Sequence, residues 1–220
     1  MPSSTRANAN QMAIVLILLV SFGGLAGIVW PAHGPLDIDL QVVALIAPFR
    51  GSALDLPMKV ATYLCSWQAI VGGTVIAVVA LGVSHRRREA VLLLIAVIGD
   101  EVIASSLKAL IQRPRPDQAL ALLPAAGSSF PSGHTFICVT YYGLLAGLLV
   151  QRLRSPVARI AICFAAACWV MIVGVSRVYL GAHWPTDVAG SMLLGAAWIA
   201  SLLVLNQALA AHEQNRRNES

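Results

Sequence analysis

The sequence predicts an all-α polytopic membrane protein, one bundle of six transmembrane helices in a single domain over residues 1–220. Three observations carry this reading. Of the 220 residues 58% are hydrophobic and 11% charged, with a mean hydropathy of +0.76. Soluble domains carry about 25% charged residues, so a water-soluble globule of this composition would expose large apolar patches and aggregate. The apolar residues fall into six runs near the ~20 residues that a bilayer crossing needs. The basic residues sit in short clusters between those runs, as topology signals do.

The runs lie near 12–30, 60–83, 90–112, 132–150, 157–176 and 188–210, and the first, second and sixth contain no charged residue. Arg6 precedes the first run as in a signal peptide. Its apolar length exceeds a signal-peptide core and no small-x-small cleavage site follows, so an uncleaved span is expected. Residues 31–59 hold Asp37, Asp39, Arg50 and Asp55 among apolar residues, and Val42–Ala47 is too short to cross. That stretch reads as an external loop with an interfacial helix. The link 113–131 is rich in Pro, Gly and Ser, and the polar tail from His212 is expected to fray.

A net charge of +5 and a pI near 9.4 raise nucleic acid as a partner. The basic residues form no stripe and are not interleaved with aromatics, so no nucleic-acid partner is expected. Cys65, Cys138, Cys163 and Cys168 lie inside apolar runs without CxxC or Cys/His spacing. Neither a zinc site nor a disulfide framework is supported, and the thiols read as small buried hydrophobes. Trp30, Trp67, Trp169, Trp184 and Trp198 suit membrane interfaces and packing rather than a cofactor.

With the N-terminus inside, Arg6, Arg86, Arg87, Arg88, Arg152, Arg154, Arg159, Arg216 and Arg217 are cytoplasmic, 9 of the 15 basic residues. Both termini are then cytoplasmic in an inner (plasma) membrane. Three polar clusters fall together on the opposite, periplasmic or extracellular side. The first runs from Lys108 through Arg113 to Arg115-Pro116 at the close of the third span; the second is Pro131-Ser132-Gly133-His134 at the start of the fourth. The third is Ser176-Arg177, His183 and Asp187, between the fifth span and the sixth.

Together these groups have the parts of a phosphoryl transfer. Lys108, Arg115 and Arg177 supply three cationic donors for a phosphate. Ser132 and Gly133 open a helix, whose free N–H groups favour an anion, and Gly133 permits close backbone approach. One histidine suits attack and the other proton donation, with Asp187 able to hold an imidazole in one tautomer.

The pattern Lys-x6-Arg-Pro, Pro-Ser-Gly-His and Ser-Arg-x5-His-x3-Asp resembles the type 2 phosphatidic acid phosphatase superfamily, in its bacterial membrane branch. All three motifs match in order, and the six-span frame covers nearly the whole chain. The resemblance implies a metal-independent lipid phosphatase with His183 as the nucleophile that forms a phosphohistidine. It implies that Asp187 orients His183, and that His134 protonates the leaving oxygen and later activates water. Lys108, Arg115, Ser132, Gly133 and Arg177 would hold the phosphate; Arg113 lies outside the strict motif.

Plainer readings compete with this one. His183 and Asp187, four apart, resemble half a metal site, but Pro185 suits a helix start rather than a continuous helical face, and no third ligand cluster is evident. Ser132 lacks the Gly-x-Ser-x-Gly elbow of a serine nucleophile. Asp100 and Glu101 are expensive inside a span unless paired or solvated. Glu101, Ser105 and Lys108 share one helix face, which either positions Lys108, lines a polar cavity or makes a plain contact between helices. A non-enzymatic transporter or scaffold is the alternative function, whereas the haloperoxidase relatives are soluble. The expected partners are a lipid phosphate or diphosphate substrate and membrane lipids, with no cofactor, no metal and no obligate protein partner. Undecaprenyl diphosphate, phosphatidylglycerophosphate, phosphatidic acid and lipid A phosphates all suit such a site.

Overall fold

The computed structural model describes residues 2–219, with side chains for 9–209, so the side chains of Arg6, Arg216 and Arg217 lie outside the described residues. Its helices are α1 (Pro2–Ala32), α2 (Asp37–Ile46), α3 (Asp55–Leu64), α4 (Trp67–Val83), α5 (Arg87–Ile111), α6 (Gly133–Val150), α7 (Pro156–Tyr179) and α8 (Pro185–Glu219). No strand occurs among the described residues. Five helices are long and apolar enough to cross a membrane, and the bent pair α3–α4 makes up to six. The chain is an integral membrane protein.

Two predicted elements differ in form. The run 60–83 is not one rod: α3 and α4 meet at 47°. The break falls where Cys65 closes α3 and Ser66 caps α4, its hydroxyl accepting from the Ala69 N–H at 3.4 Å. A serine cap satisfies an orphan N–H of the new helix, so the apolar run restarts instead of continuing. The tail expected to fray from His212 continues α8 as helix to Glu219. The expected short helix in 31–59 is α2, whose Asp39 accepts from the Leu36 N–H at 2.9 Å.

α6 is the central element. It packs on α5, α7 and α8, while α8 also lies along α1, α4 along α5 and α3 along α7. Ile70, Leu93, Ile137, Leu144 and Leu202 join α4, α5, α6 and α8 in one apolar cluster. Phe22, Val29, Phe130, Phe136 and Leu194 form another beneath the site loops. α8 approaches α6 closely at Gly195, where a Cβ would stand 2.7 Å from Val139 Cγ1; small residues allow such approach between membrane helices. The outward faces are apolar instead, with Ile76, Val83, Val157 and Phe164 exposed. Of the cysteines, Cys65 and Cys138 are buried as expected, but Cys163 is exposed on α7 and Cys168 is half-buried.

Candidate active site

The C-terminal ends of α5 and α7 and the N-terminal ends of α6 and α8 meet at one end of the bundle, which brings the three sequence clusters together. α5 stops where Gln112 adopts a left-handed conformation (φ 49°), its N–H bonded to the Lys108 carbonyl at 3.1 Å. Pro114 follows, and the residue before a proline is biased away from helix. The chain therefore turns across the bundle end, carrying Arg113 inward and Arg115 over the loop that precedes α8.

His183 lies in that loop, 2% exposed. Its Nδ1 stands 2.8 Å from the Ser129 carbonyl oxygen and 3.5 Å from Asp187 Oδ2. With two acceptors beside it, Nδ1 carries the proton and Nε2 holds the lone pair. Nε2 faces the Arg115 guanidinium at 3.1 Å. Arg115 is fixed in turn by donating to the carbonyls of Ala182 at 2.7 Å, Gly127 at 3.0 Å and Ala126 at 3.1 Å. Burial pushes the His183 imidazole down to about 4, against the opposing pull of Asp187. The same cause lowers the Arg115 guanidinium.

Asp187 is fully buried and accepts from the Ser129 hydroxyl, from the Trp184 N–H at 2.8 Å and from Arg113 at 2.5 Å. Arg113 also donates to Asp39 at 2.6 Å, Thr186 Oγ1 at 2.7 Å and the Gly34 carbonyl at 3.0 Å. One guanidinium thus joins two carboxylates, a charge arrangement that only a multidentate donor satisfies in a buried place.

The remaining motif residues surround this core. Lys108 lies in electrostatic range of Arg115 and Arg177, and a Cβ at Gly133 would stand 3.1 Å from the Lys108 ammonium. Glycine at 133 leaves that nitrogen its room. Arg177 is 3% exposed; one terminal nitrogen donates to Thr62 Oγ1 at 3.3 Å, and its Nε has no partner. Three cations drawn together with an unused donor form a receptor for an anion. Ser132 is buried, its hydroxyl 3.0 Å from that of Thr135. His134, half-buried on the first turn of α6, lies in electrostatic range of His183, Arg177, Lys108 and Arg115. The expected stripe on α5 is only partly formed: Glu101 and Lys108 line one cavity with Asp100, but Ser105 is exposed and bonds back to the Val102 carbonyl at 3.1 Å.

Sequence reasoning passed over several residues of the site. Asp39 appeared as an ordinary loop charge, Ser129 as loop composition, and Thr62 as part of an apolar span. Trp184 is buried, with its indole N–H donating to the Pro114 carbonyl at 2.9 Å. The only local hint at Asp39 is its capping position at the start of α2.

The chain is similar to several known proteins. The chain is 39% identical over 106 residues to phosphatidylglycerophosphatase B of Bacillus subtilis, covering 47% of this chain and 52% of that protein. It is 32% identical over 122 residues to lipid A 1-phosphatase of Rhizobium johnstonii, covering 51% and 46%. It is 36% identical over 96 residues to the E. coli protein described as a putative undecaprenyl-diphosphatase, YbjG, covering 44% and 43%. The chain thus matches about half the length of these curated relatives. The crystal structure of a transmembrane PAP2 type phosphatidylglycerolphosphate phosphatase from Bacillus subtilis superposes with a TM-score of 0.79 at 26% identity, covering 88% of this chain and 96% of that one. Aquifex aeolicus LpxE superposes with a TM-score of 0.62 at 25% identity, covering 76% and 96%. Residues 89–210, which hold all three motifs and most of the four helices that carry them, match the PAP2 superfamily, and the chain belongs to it.

Proposed function

We propose that this protein is a metal-independent phosphatase of a lipid phosphate, working through a phosphohistidine at the extracytoplasmic face of the membrane. The observation that carries the reading is the His183 imidazole, whose Nε2 lone pair faces a cluster of cations while its Nδ1 proton is held by Ser129 and Asp187. His183 Nε2 attacks phosphorus, and the N–P bond forms as the P–O bond to the lipid breaks. The electron pair leaves with oxygen, which takes a proton from His134. Lys108, Arg115 and Arg177, with the N–H groups of the first turn of α6 from Gly133 onward, balance the charge of the transferred phosphoryl group; the Ser132 N–H instead donates to the Asp187 carbonyl at 3.4 Å. Water, deprotonated by His134, then releases phosphate from His183.

The basic clusters 86–88 and 152–159 connect helices at the end of the bundle away from these motifs, which supports a cytoplasmic placement for them and an outer one for the site. The relatives' names support lipids as substrates. The test is phosphate release by the purified protein in detergent from phosphatidylglycerophosphate, phosphatidic acid, lipid A and undecaprenyl diphosphate. Release from at least one, abolished in His183→Ala, is expected. A folded protein that releases nothing from any of them would favour a transporter or scaffold instead.

A further inference from the structure

A cavity of about 180 Å³ adjoins the phosphate cradle, between the α3–α4 break, α5 and α6. Trp67, Asp100, Glu101, Lys108, Gly133 and His134 are among its walls, whereas His183, Arg115 and Arg177 are not. It therefore lies on the His134 side of the site. In phosphoryl transfer the attacking and leaving atoms lie roughly in line across phosphorus. With His183 attacking, the leaving oxygen points towards His134 and the group attached to it enters this cavity.

The chemistry of the walls is unusual for such a place. Asp100 is 2% exposed; one of its oxygens accepts from Thr140 Oγ1 at 2.7 Å, and the other has no partner among the described residues. Glu101 makes no hydrogen bond or ion pair among the described residues, though it lies in electrostatic range of Asp100 and Lys108. At 1.5 Å per residue it stands about 15 Å along α5 from the site end at Ile111. A carboxylate at that depth without a contacting cation is costly, unless the space beside it holds water or a polar ligand. Asp100, buried, and Glu101, exposed at its open side, thus mark a polar chamber along the span, with Lys108 and His134 also among its walls.

We propose that this chamber is the leaving-group subsite, and that Glu101 in its wall makes the enzyme select lipid phosphate monoesters over lipid diphosphates. The inference rests on the phosphatase reading given above and names the substrate class for the same site. From a monoester, the electron pair of the broken P–O bond leaves on an alkoxide oxygen, which takes its proton from His134 and enters the chamber as an uncharged alcohol. From a diphosphate, the same bond breakage delivers a lipid monophosphate, an anion placed against Glu101. A like charge built against the wrong partner is a recognised source of specificity. Lys108 does not cancel it, because that ammonium also faces the transferred phosphoryl group.

The experiment compares kcat/KM of the purified enzyme for farnesyl phosphate and farnesyl diphosphate, which share one lipid tail. The wild type is expected to favour the monophosphate by about tenfold or more. Glu101→Gln is expected to narrow that ratio several-fold, and Glu101→Asp to keep most of it. A wild-type ratio at or below one overturns the inference while leaving a phosphatase in place. So does a ratio that Glu101→Gln leaves unchanged. Absence of phosphate release from both farnesyl compounds and from phosphatidic acid overturns the phosphatase reading, and this inference with it.

Discussion

Arg113 donates to Asp187 at 2.5 Å, and neither side chain is exposed to solvent. The same guanidinium reaches Asp39 at 2.6 Å, so a single cation holds the carboxylate beside His183 and anchors α2 to the start of α8. Removing one partner of a buried ion pair leaves an uncompensated charge and costs about 3–5 kcal/mol. Arg113→Met leaves two carboxylates in that state and is expected to lower the melting temperature in detergent sharply. Arg113→Lys keeps the charge but not the fork of donors, so it recovers only part of the loss. A methionine variant as stable as the wild type would show that the bridge holds nothing together.

The two histidines separate by leaving-group chemistry. A p-nitrophenolate leaves without needing a proton, so His134→Ala is expected to release one equivalent of nitrophenol from p-nitrophenyl phosphate in a burst. Turnover then slows, because in the proposed mechanism the same residue activates water against the phosphohistidine. His183→Ala is expected to show neither burst nor turnover. Equal behaviour of the two variants in stopped-flow absorbance would reverse or cancel the assigned roles.

The frame and the motif residues were legible in sequence because each leaves a local mark. Apolar runs such as 132–150 have bilayer length, and Lys108, His134 and His183 sit at the ends of such runs, where polar residues stand out. What escaped depends on contacts between distant segments. Asp39 is buried only because Arg113 and Thr186 surround it, and no pattern around residue 39 encodes a partner on the other side of the bundle. The break at Cys65–Ser66 was hidden for a different reason. Hydropathy is continuous through 60–83, whereas helix continuity depends on whether the Ser66 hydroxyl caps the next turn. Ser129 acts through its backbone carbonyl as well as its hydroxyl, and a carbonyl has no sequence signature.

Burial holds the His183 imidazole at about 4, below the usual value of 6.5. The native state therefore binds fewer protons than the unfolded chain between those values. This group's contribution makes stability rise with pH across that window and leaves it flat above it. For activity, His183 as the proposed nucleophile is neutral across that window. Once the substrate's own second phosphate ionisation is corrected for, the acid limb of kcat/KM is expected near pH 4. Asp187 favours the imidazolium, so Asp187→Asn moves the limb lower still and reduces the rate by about a hundredfold or more. A limb near 6.5 would mean that His183 is solvated in the working enzyme.

Inhibition distinguishes a cation-lined phosphate site from a metal site. Lys108 and Arg177 share one another's electrostatic field with Arg115, and Arg177 Nε lacks a partner, so the site is short of negative charge. A divalent cation placed among them would meet repulsion, whereas a trigonal-bipyramidal oxyanion would satisfy all three. Vanadate is accordingly expected to inhibit competitively, with its affinity reduced about tenfold or more in Arg177→Gln through loss of a charge-assisted donor. EDTA is expected to leave the rate within about twofold of its starting value, since in the proposed transfer every group is a side chain or backbone N–H of the chain itself. Loss of activity in EDTA, restored by a divalent metal, would place the phosphate on a cation that these residues do not supply.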